Sequence, residues 1–302
     1  MLLLDDDTRA LRTLADWVRW GASRFREAGL VFAQGSENAL DEAYFLVLHA
    51  LRLPEDLPAA YLSTQLTPGE GERVAALLRE RVESRRPAAY LIGEIGFAGL
   101  RFEVDERVLI PRSPFAELIA HGFRPWLAAA PARVLDLCTG SGCIGIATAA
   151  AFEDAEVDLA DLSADALAVA ARNIARHQVA DRVRTVLSDG FEGLGGRRYD
   201  LIVCNPPYVP QAEWAALPPE FHHEPAMALA AGEDGMDLVA RILAQAAGHL
   251  SEEGWLFCEV GGSQNEFEAR WPELPVTWAL FANGGDGIFC IDRPALVAYF
   301  GG

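Results

Sequence analysis

From about residue 118 the chain repeats one pattern: a short, nearly unbroken apolar run, a loop, then a helix-spaced stretch. The runs read as strands at Arg133–Cys138, Glu156–Ala160, Val183–Leu187, Asp200–Cys204 and Trp255–Val260. A strand without polar alternation is buried on both faces. Strands of that kind alternating with helices imply an α/β domain, with a parallel sheet covered by helices on each side. The helix Ser163–His177 is the clearest, with Ser163 as N-cap and Leu167, Ala171, Ile174 and Ala175 as its expected buried stripe. The tail departs from the pattern. Val276–Phe281 and Gly287–Ile291 flank Asn283-Gly284-Gly285-Asp286, a hairpin signal, so the sheet is expected to finish with an antiparallel strand.

The first 90 residues carry helical spacing and no glycine-rich loop. Leu11, Leu14, Val18, Ala22 and Phe25 form one apolar stripe, and Leu40, Tyr44, Val47, Leu48 and Leu51 a second after Ser36 and Asn38. Thr67-Pro68-Gly69-Glu70 has capping-box spacing with proline at the first helical position. Trp17 and Trp20 offer a recognition face, but aromatics at this spacing read first as core. Residues 91–112 change period: Leu100, Phe102 and Val104 alternate with charged residues, and Val108-Leu109-Ile110 stops at Pro111. The expected organisation is a helical domain over 1–90, a β-hairpin linker over 91–117 and the α/β domain over 118–302.

Charge restricts the partners. There are 25 Lys plus Arg against 44 Asp plus Glu, a formal −19. Such a surface repels phosphate backbones, so direct nucleic-acid binding is not expected; it attracts a basic protein or a cationic small molecule. The bland reading is that the acidity only keeps the protein soluble. No apolar run approaches the roughly 18–20 residues of a membrane span, so no membrane partner is expected. Met1–Leu4 followed at once by Asp5-Asp6-Asp7 reverses the order of a signal peptide, and the protein is expected to be cytoplasmic. The five cysteines, Cys138, Cys143, Cys204, Cys258 and Cys290, sit in apolar segments and read as reduced thiols.

After the first strand, Asp136-Leu137-Cys138-Thr139-Gly140-Ser141-Gly142-Cys143-Ile144-Gly145 contains G-x-G-x-x-G, by itself a weak signal of a dinucleotide site. Asp136, four residues before the first glycine, would oppose a pyrophosphate but suits a ligand ammonium. Asp161, at the end of the second strand, is placed to accept two ribose hydroxyls. Asp189, after the third, reads equally as an acceptor for an adenine amino group or as an ordinary helix or turn start. A nucleoside with a cationic amino-acid tail and no phosphate describes S-adenosyl-L-methionine. The competing reading is a tight turn in another α/β enzyme, an NAD-dependent oxidoreductase among them.

The fourth strand runs into Asn205-Pro206-Pro207-Tyr208. The prolines hold the backbone extended and fix the direction of their carbonyls. The Asn205 side-chain oxygen and the Pro206 carbonyl make two fixed acceptors, which suit a planar NH2 group, and Tyr208 offers a face to stack on it. Such a nitrogen is a poor nucleophile. Hydrogen bonds to both protons push charge onto it, and proximity to an electrophilic methyl supplies much of the rest. Adjacent histidines in His222-His223-Glu224 point apart, so no metal site is expected there, and this loop is expected to close over the substrate.

Asp136 to Gly142 together with Asn205 to Tyr208 resembles the class I, Rossmann-like methyltransferases that alkylate planar amino groups. Arg86-Pro87-Ala88-Ala89-Tyr90-Leu91-Ile92-Gly93, Phe97-Ala98-Gly99-Leu100-Arg101-Phe102 and Leu109-Ile110-Pro111-Arg112 narrow this to the protein glutamine methyltransferases. The wording Pro111-Arg112-Ser113-Pro114-Phe115-Ala116-Glu117, with Cys138 to Cys143 and His223-Glu224-Pro225, is similar to the branch acting on large-subunit ribosomal protein three. The release-factor branch and adenine amino methylation remain the alternatives. The resemblance implies S-adenosyl-L-methionine as methyl donor and a basic ribosomal protein as substrate. It also implies a cofactor site at Asp136, Cys138, Thr139, Gly140, Ser141, Gly142, Asp161, Asp189 and Asn205, with the substrate amide on Asn205 to Tyr208. Cys138 departs from the family by standing where many methyltransferases have the first loop glycine, and Gly190 by standing where a tryptophan often flanks the adenine.

Overall fold

A computed structural model describes residues 8–301; the expectations drawn from Met1–Leu4 and Asp5–Asp7 lie outside the described residues. The chain divides into two units, Met1–Glu94 with Pro218–His223, and Ile95–Leu217 with Glu224–Gly302.

A hairpin of β1 (Glu94–Phe97) and β2 (Leu100–Glu103) opens the second unit. It lies one arm earlier than the alternation suggests, because the turn forms at Ala98-Gly99, both with positive φ (48° and 78°). Two successive left-handed residues match the right-handed twist of the flanking strands. Val108–Ile110, expected as the second arm, is irregular.

The main sheet contains β3 (Arg133–Leu137), β4 (Glu156–Asp161), β5 (Val183–Leu187), β6 (Tyr199–Cys204), β7 (Leu250–Glu259), β8 (Thr277–Trp278) and β9 (Ile288–Asp292), in the order β5-β4-β3-β6-β7-β9-β8. The first five are parallel, and β9 enters antiparallel between β7 and the edge strand β8. Neighbouring residues of one strand face opposite layers. Val134 and Val203 pack with Ile146, Ala170 and Ile174, whereas Leu135 and Ile202 pack with Val239, Ile242 and Leu296. Helices Cys143–Ala151 and Ala164–His177 therefore cover one face, and Asp237–His249 and Arg293–Phe300 the other. This is the α/β fold expected from unbroken apolar strands.

Two details differ from the expectation. β7 begins five residues early, at Leu250, where it pairs with Tyr199 across a register shift; Ser251-Glu252-Glu253-Gly254 hides this part behind a polar sequence. In the helix capped by Ser163, Leu167 and Ile174 are buried but Ala171 and Ala175 are exposed. The buried stripe instead turns through Val169, Ala170 and Asn173. Asn173 is polar and escapes a hydrophobic count.

The first unit rests on helices Leu14–Glu27, Ala39–Leu51 and Pro68–Ser84. Thr67 and Glu70 form the expected capping box with Pro68 at the first helical position, and Asn38 caps the preceding helix. Trp17 and Trp20 are 4% and 6% exposed, so both are core residues. The Pro218–His223 segment joins this unit through a charge cluster. Glu220, with its side chain fully buried, pairs with Arg85 at 2.7 Å and accepts from the Val31 N–H at 3.1 Å. Gln34 donates to its carbonyl at 3.2 Å. Arg81, also buried, lies 4.0 Å from the same carboxylate and donates to Glu42 at 2.8 Å. Removing one member of a buried pair leaves the other charge uncompensated, which costs about 3–5 kcal/mol. Glu220→Ala is therefore expected to destabilise the helical unit by that amount in denaturant unfolding and to make residues 218–223 protease-sensitive. Wild-type stability together with wild-type resistance would contradict this account.

Candidate active site

The chain runs from β3 outward to β4 and β5, then returns to β6 on the other side of β3. Successive connections diverge at this switch point, leaving a crevice beyond the carboxyl ends of the strands. Those ends are level, since Leu137 is in register with Ala160 and Cys204, and Cys204 with Cys258. A cavity of about 390 Å³ opens there. Cys138, Thr139, Gly140 and Ser141 form part of its wall, together with Asp161, Asp189, Asn205 and Pro207.

Four expected site residues are not on that wall. Asp136 is 1% exposed and turned under the glycine loop. Its Oδ2 accepts from the Thr139 hydroxyl at 2.6 Å and from the Gly145 N–H at 2.8 Å, while Oδ1 is buried without a donor. Gly145 permits this approach: a Cβ there would lie 2.9 Å from the Asp136 side chain and collide with Leu159. Gly142 (φ +82°) caps the following helix over Ile146, Leu159 and Ala170. Pro206 is buried, and Tyr208 directs its hydroxyl to Glu259 at 3.1 Å.

The glycine loop is held from both sides. Cys138 takes the left-handed conformation (φ +60°) that glycine adopts freely, so the loop keeps its path despite the substitution. Asp161 accepts from the Gly140 N–H at 2.9 Å through one oxygen and from the Ser163 N–H at 2.8 Å through the other. Each oxygen retains a lone pair for a hydroxyl donor. Burial pushes its carboxyl up. Asn173 donates to the Ser141 carbonyl at 2.8 Å and exchanges hydrogen bonds with the backbone of Glu103.

The sequence reading missed the arginines of the cavity. Arg107 is bound by Asp105 at 2.6 Å, Arg112 by Glu224 at 2.6 Å and Arg241 by Asp189 at 2.9 Å. Glu224, with its side chain fully buried, also accepts from the Ile110 N–H at 3.0 Å. Two short motifs far apart in sequence are thereby one structural feature, and their opposite charges were the signal available. His223 is separated from this pair: its ring meets the Ser84 carbonyl in the helical unit at 3.1 Å. Among the described residues no cluster of His, Cys, Asp and Glu is arranged to hold a metal, and no helix is long and apolar enough to cross a membrane.

These features fit a nucleoside with a cationic tail better than a dinucleotide. The three wall arginines are committed to carboxylates, which leaves a pyrophosphate no arginine of its own on this wall. The turn at Gly140 is open, with nothing within 4 Å of an added Cβ, and Asp161 has the acceptors a ribose diol needs.

Burial pushes the Asp136 carboxyl up to about 7. An unfolded aspartate has a pKa of about 3.9, so the folded state binds the extra proton. Its contribution to stability is full below about pH 4 and is lost as pH rises through about 7. Asp136→Asn removes this titration. Denaturant unfolding from pH 4 to 8 is expected to show the Asn variant gaining on wild type by about 2–4 kcal/mol as pH rises. A difference independent of pH would contradict the burial of this charge.

Comparison with known proteins agrees with both units. The Methyltransferase small domain family matches residues 123–232, and the PrmC N-terminal domain family matches residues 16–93. Among solved structures, the hMettl16 catalytic domain in complex with MAT2A 3'UTR hairpin 6 superposes with a TM-score of 0.51 at 19% identity. That match covers 74% of this chain and 81% of the other and supports the fold alone. The ribosomal protein uL3 glutamine methyltransferase of Xanthomonas campestris pv. campestris is 53% identical over 96% of this chain and 94% of its own length. The protein of the same name from Bordetella pertussis is 48% identical over 97% and 99%. With likeness at this level over nearly the whole length of both chains, the chain belongs to the ribosomal protein uL3 glutamine methyltransferase family.

Proposed function

We propose that this protein methylates the side-chain amide nitrogen of a glutamine in the large-subunit ribosomal protein uL3, with Asn205 and Pro206 holding that amide. The observation that carries the reading is the turn after β6. Among the described residues, neither the Asn205 side chain nor the Pro206 carbonyl has a hydrogen-bond partner, although Asn205 is on the cavity wall. A buried strand that ends in two unused acceptors is prepared for a group with two donors, and a primary amide has them.

S-adenosyl-L-methionine supplies an electrophilic methyl group on a sulfonium. Asp161 takes the ribose hydroxyls, the Cys138–Gly142 loop receives the amino-acid tail, and Asp136 gives that loop negative potential from beneath. Asp189, balanced by Arg241, stands on the wall for the adenine amino group. Asn205 and Pro206 accept the two amide protons and so restrict rotation about the C–N bond and aim the nitrogen. Tyr208 supports the turn from behind. The proton that must leave nitrogen needs no strong base, because its acidity rises as the new N–C bond forms.

The net charge of −19 suits a basic ribosomal protein as partner and disfavours nucleic acid. We assign selection of that partner to the helical region over residues 1–90, since every cofactor-binding candidate lies beyond residue 130. Deleting this region is expected to leave cofactor binding and to abolish methylation of the protein. Full methylation by the truncated chain would refute the assignment.

Asp161→Ala is expected to cost about 1–3 kcal/mol of cofactor affinity, read by calorimetry. Asn205→Ala is expected to slow single-turnover methyl transfer on the order of a hundredfold. Asn205→Asp keeps the shape but adds a charge beside the sulfonium, which stabilises the ground state more than a transition state in which positive charge is leaving sulfur. It should bind cofactor at least as well as wild type and still turn over more slowly. Single-turnover rates near wild type for both Asn205 variants, at saturating cofactor, would remove this residue from the chemistry.

A further inference from the structure

Tyr208 is held at its carbonyl, at its hydroxyl and across its ring. Its carbonyl accepts from the Ser263 hydroxyl at 3.2 Å. A Cβ on Gly261 would lie 2.7 Å from the ring, and one on Gly235 would collide with the Tyr208 carbonyl, so the backbone closes on it from two directions. Its hydroxyl donates to Glu259 Oε1 at 3.1 Å. Glu259 is the last residue of β7 and is 5% exposed. Its second oxygen accepts from the Ser113 hydroxyl at 2.5 Å, and Ser113 Oγ accepts from the Phe115 N–H at 3.1 Å. A line of hydrogen bonds thus runs from the Phe115 backbone through Ser113 and Glu259 to the phenol.

A buried carboxylate is an expensive way to fill space. Burial pushes the Glu259 carboxyl up, which reflects the cost of keeping a charge there. An apolar side chain would fill the volume, but it could not receive two hydroxyls at once. A carboxylate can, and hydrogen bonds to a charged acceptor hold direction better than neutral ones. Tyr208 stands three residues after Asn205 with two stiff prolines between them, so a rotation of its ring or backbone is transmitted to the acceptor pair.

We propose that Glu259 is a positioning residue for methyl transfer: by accepting the Tyr208 hydroxyl against Ser113, it holds the Asn205–Tyr208 turn in register with the cavity. The inference rests on the assignment of that turn to the target amide. It names a residue outside the Asn205–Tyr208 motif, on a different strand.

The test uses the full-length enzyme with Glu259→Ala, Glu259→Gln, Tyr208→Phe and the Glu259→Ala/Tyr208→Phe double variant. Glu259→Ala is expected to lower kcat by about tenfold to a hundredfold, the loss that follows a small misplacement of reacting groups. Its affinity for S-adenosylmethionine should be that of wild type. Glu259→Gln should recover most of the loss, since the amide oxygen accepts from Tyr208 while the NH2 group donates to Ser113. In the Tyr208→Phe background, Glu259→Ala should add little. Equal losses in both backgrounds, or a Gln variant no better than Ala, would overturn the proposal.

Amide hydrogen exchange across residues 204–212 provides a reading without turnover. It should accelerate in Glu259→Ala and in Tyr208→Phe and return towards wild type in Glu259→Gln; unchanged exchange would overturn the proposal. If Glu259→Ala does not fold, Tyr208→Phe and Glu259→Gln carry the same decision. If wild type itself transfers no methyl group to uL3, the functional reading falls, and the exchange measurement still decides whether Glu259 holds the turn.

Discussion

The Asp136 carboxylate bonded to the Gly145 N–H and the Thr139 hydroxyl is the contact on which the site depends. It ties the end of a central strand to the first turn of the helix that follows, so the five residues between them have no alternative path. The tie requires a glycine at 145, because any side chain there would enter the space of Asp136 and Leu159. It also requires a buried charge, which costs stability at neutral pH. Asp161 completes the loop from the neighbouring strand through the Gly140 N–H, and in doing so presents its remaining lone pairs beside the cavity. The two aspartates therefore have different duties. One builds the loop from beneath, and the other faces the cavity.

Much of this was legible in the sequence because it is local. Unbroken apolar runs between helices specify a parallel sheet covered on both faces, and Ser163, Thr67 and Asn38 announce helix starts through side chains that bond their own backbone. Asn205 to Tyr208 is local in the same way, since two prolines after a buried strand restrict the backbone there. What was not legible depends on distance. Asn173 looks like a polar interruption in a helix, yet its amide spans Ser141 and Glu103, 32 and 70 positions away. Glu259 ends a strand with nothing to mark it apart from its neighbours. The exposed Ala171 and Ala175 show the converse, since an alanine satisfies an apolar count on either side of a helix.

Arg112 and Glu224 show how distant pieces of sequence can have one physical cause. Each belongs to a short motif that the resemblance quotes. In the fold they form a two-pronged ion pair, with distances of 2.6 Å and 3.0 Å, which also takes the Ile110 N–H. A bidentate arginine–carboxylate contact is directional, so it orients as well as attracts. It holds the irregular Val108–Arg112 stretch, whose apolar run Val108–Ile110 was expected as the second arm of the hairpin. This explains why that stretch, apolar as it is, contributes wall to the cavity instead of an arm to the hairpin.

The same carboxylate also ends an excursion of the chain. After Leu217 the backbone leaves the sheet unit, contributes Pro218–His223 to the helical unit, and returns at Glu224. Glu220 and Glu224 are four residues apart, and each is buried against arginine, Glu220 with Arg85 and Arg81 in one unit and Glu224 with Arg112 in the other. A segment that only connected two bodies would not need a buried ion pair at either end, since loop closure over so few residues costs little and solvated chain would serve. Both pairs carry a desolvation cost that brings specificity of placement more than stability. The excursion begins ten residues after Tyr208, and the chain that follows it returns beside the same turn, where Val209 bonds Leu229 and Ala231. The turn after β6 is thus covalently continuous with a segment that carries two buried carboxylates, Glu220 paired within the helical unit and Glu224 paired within the sheet unit.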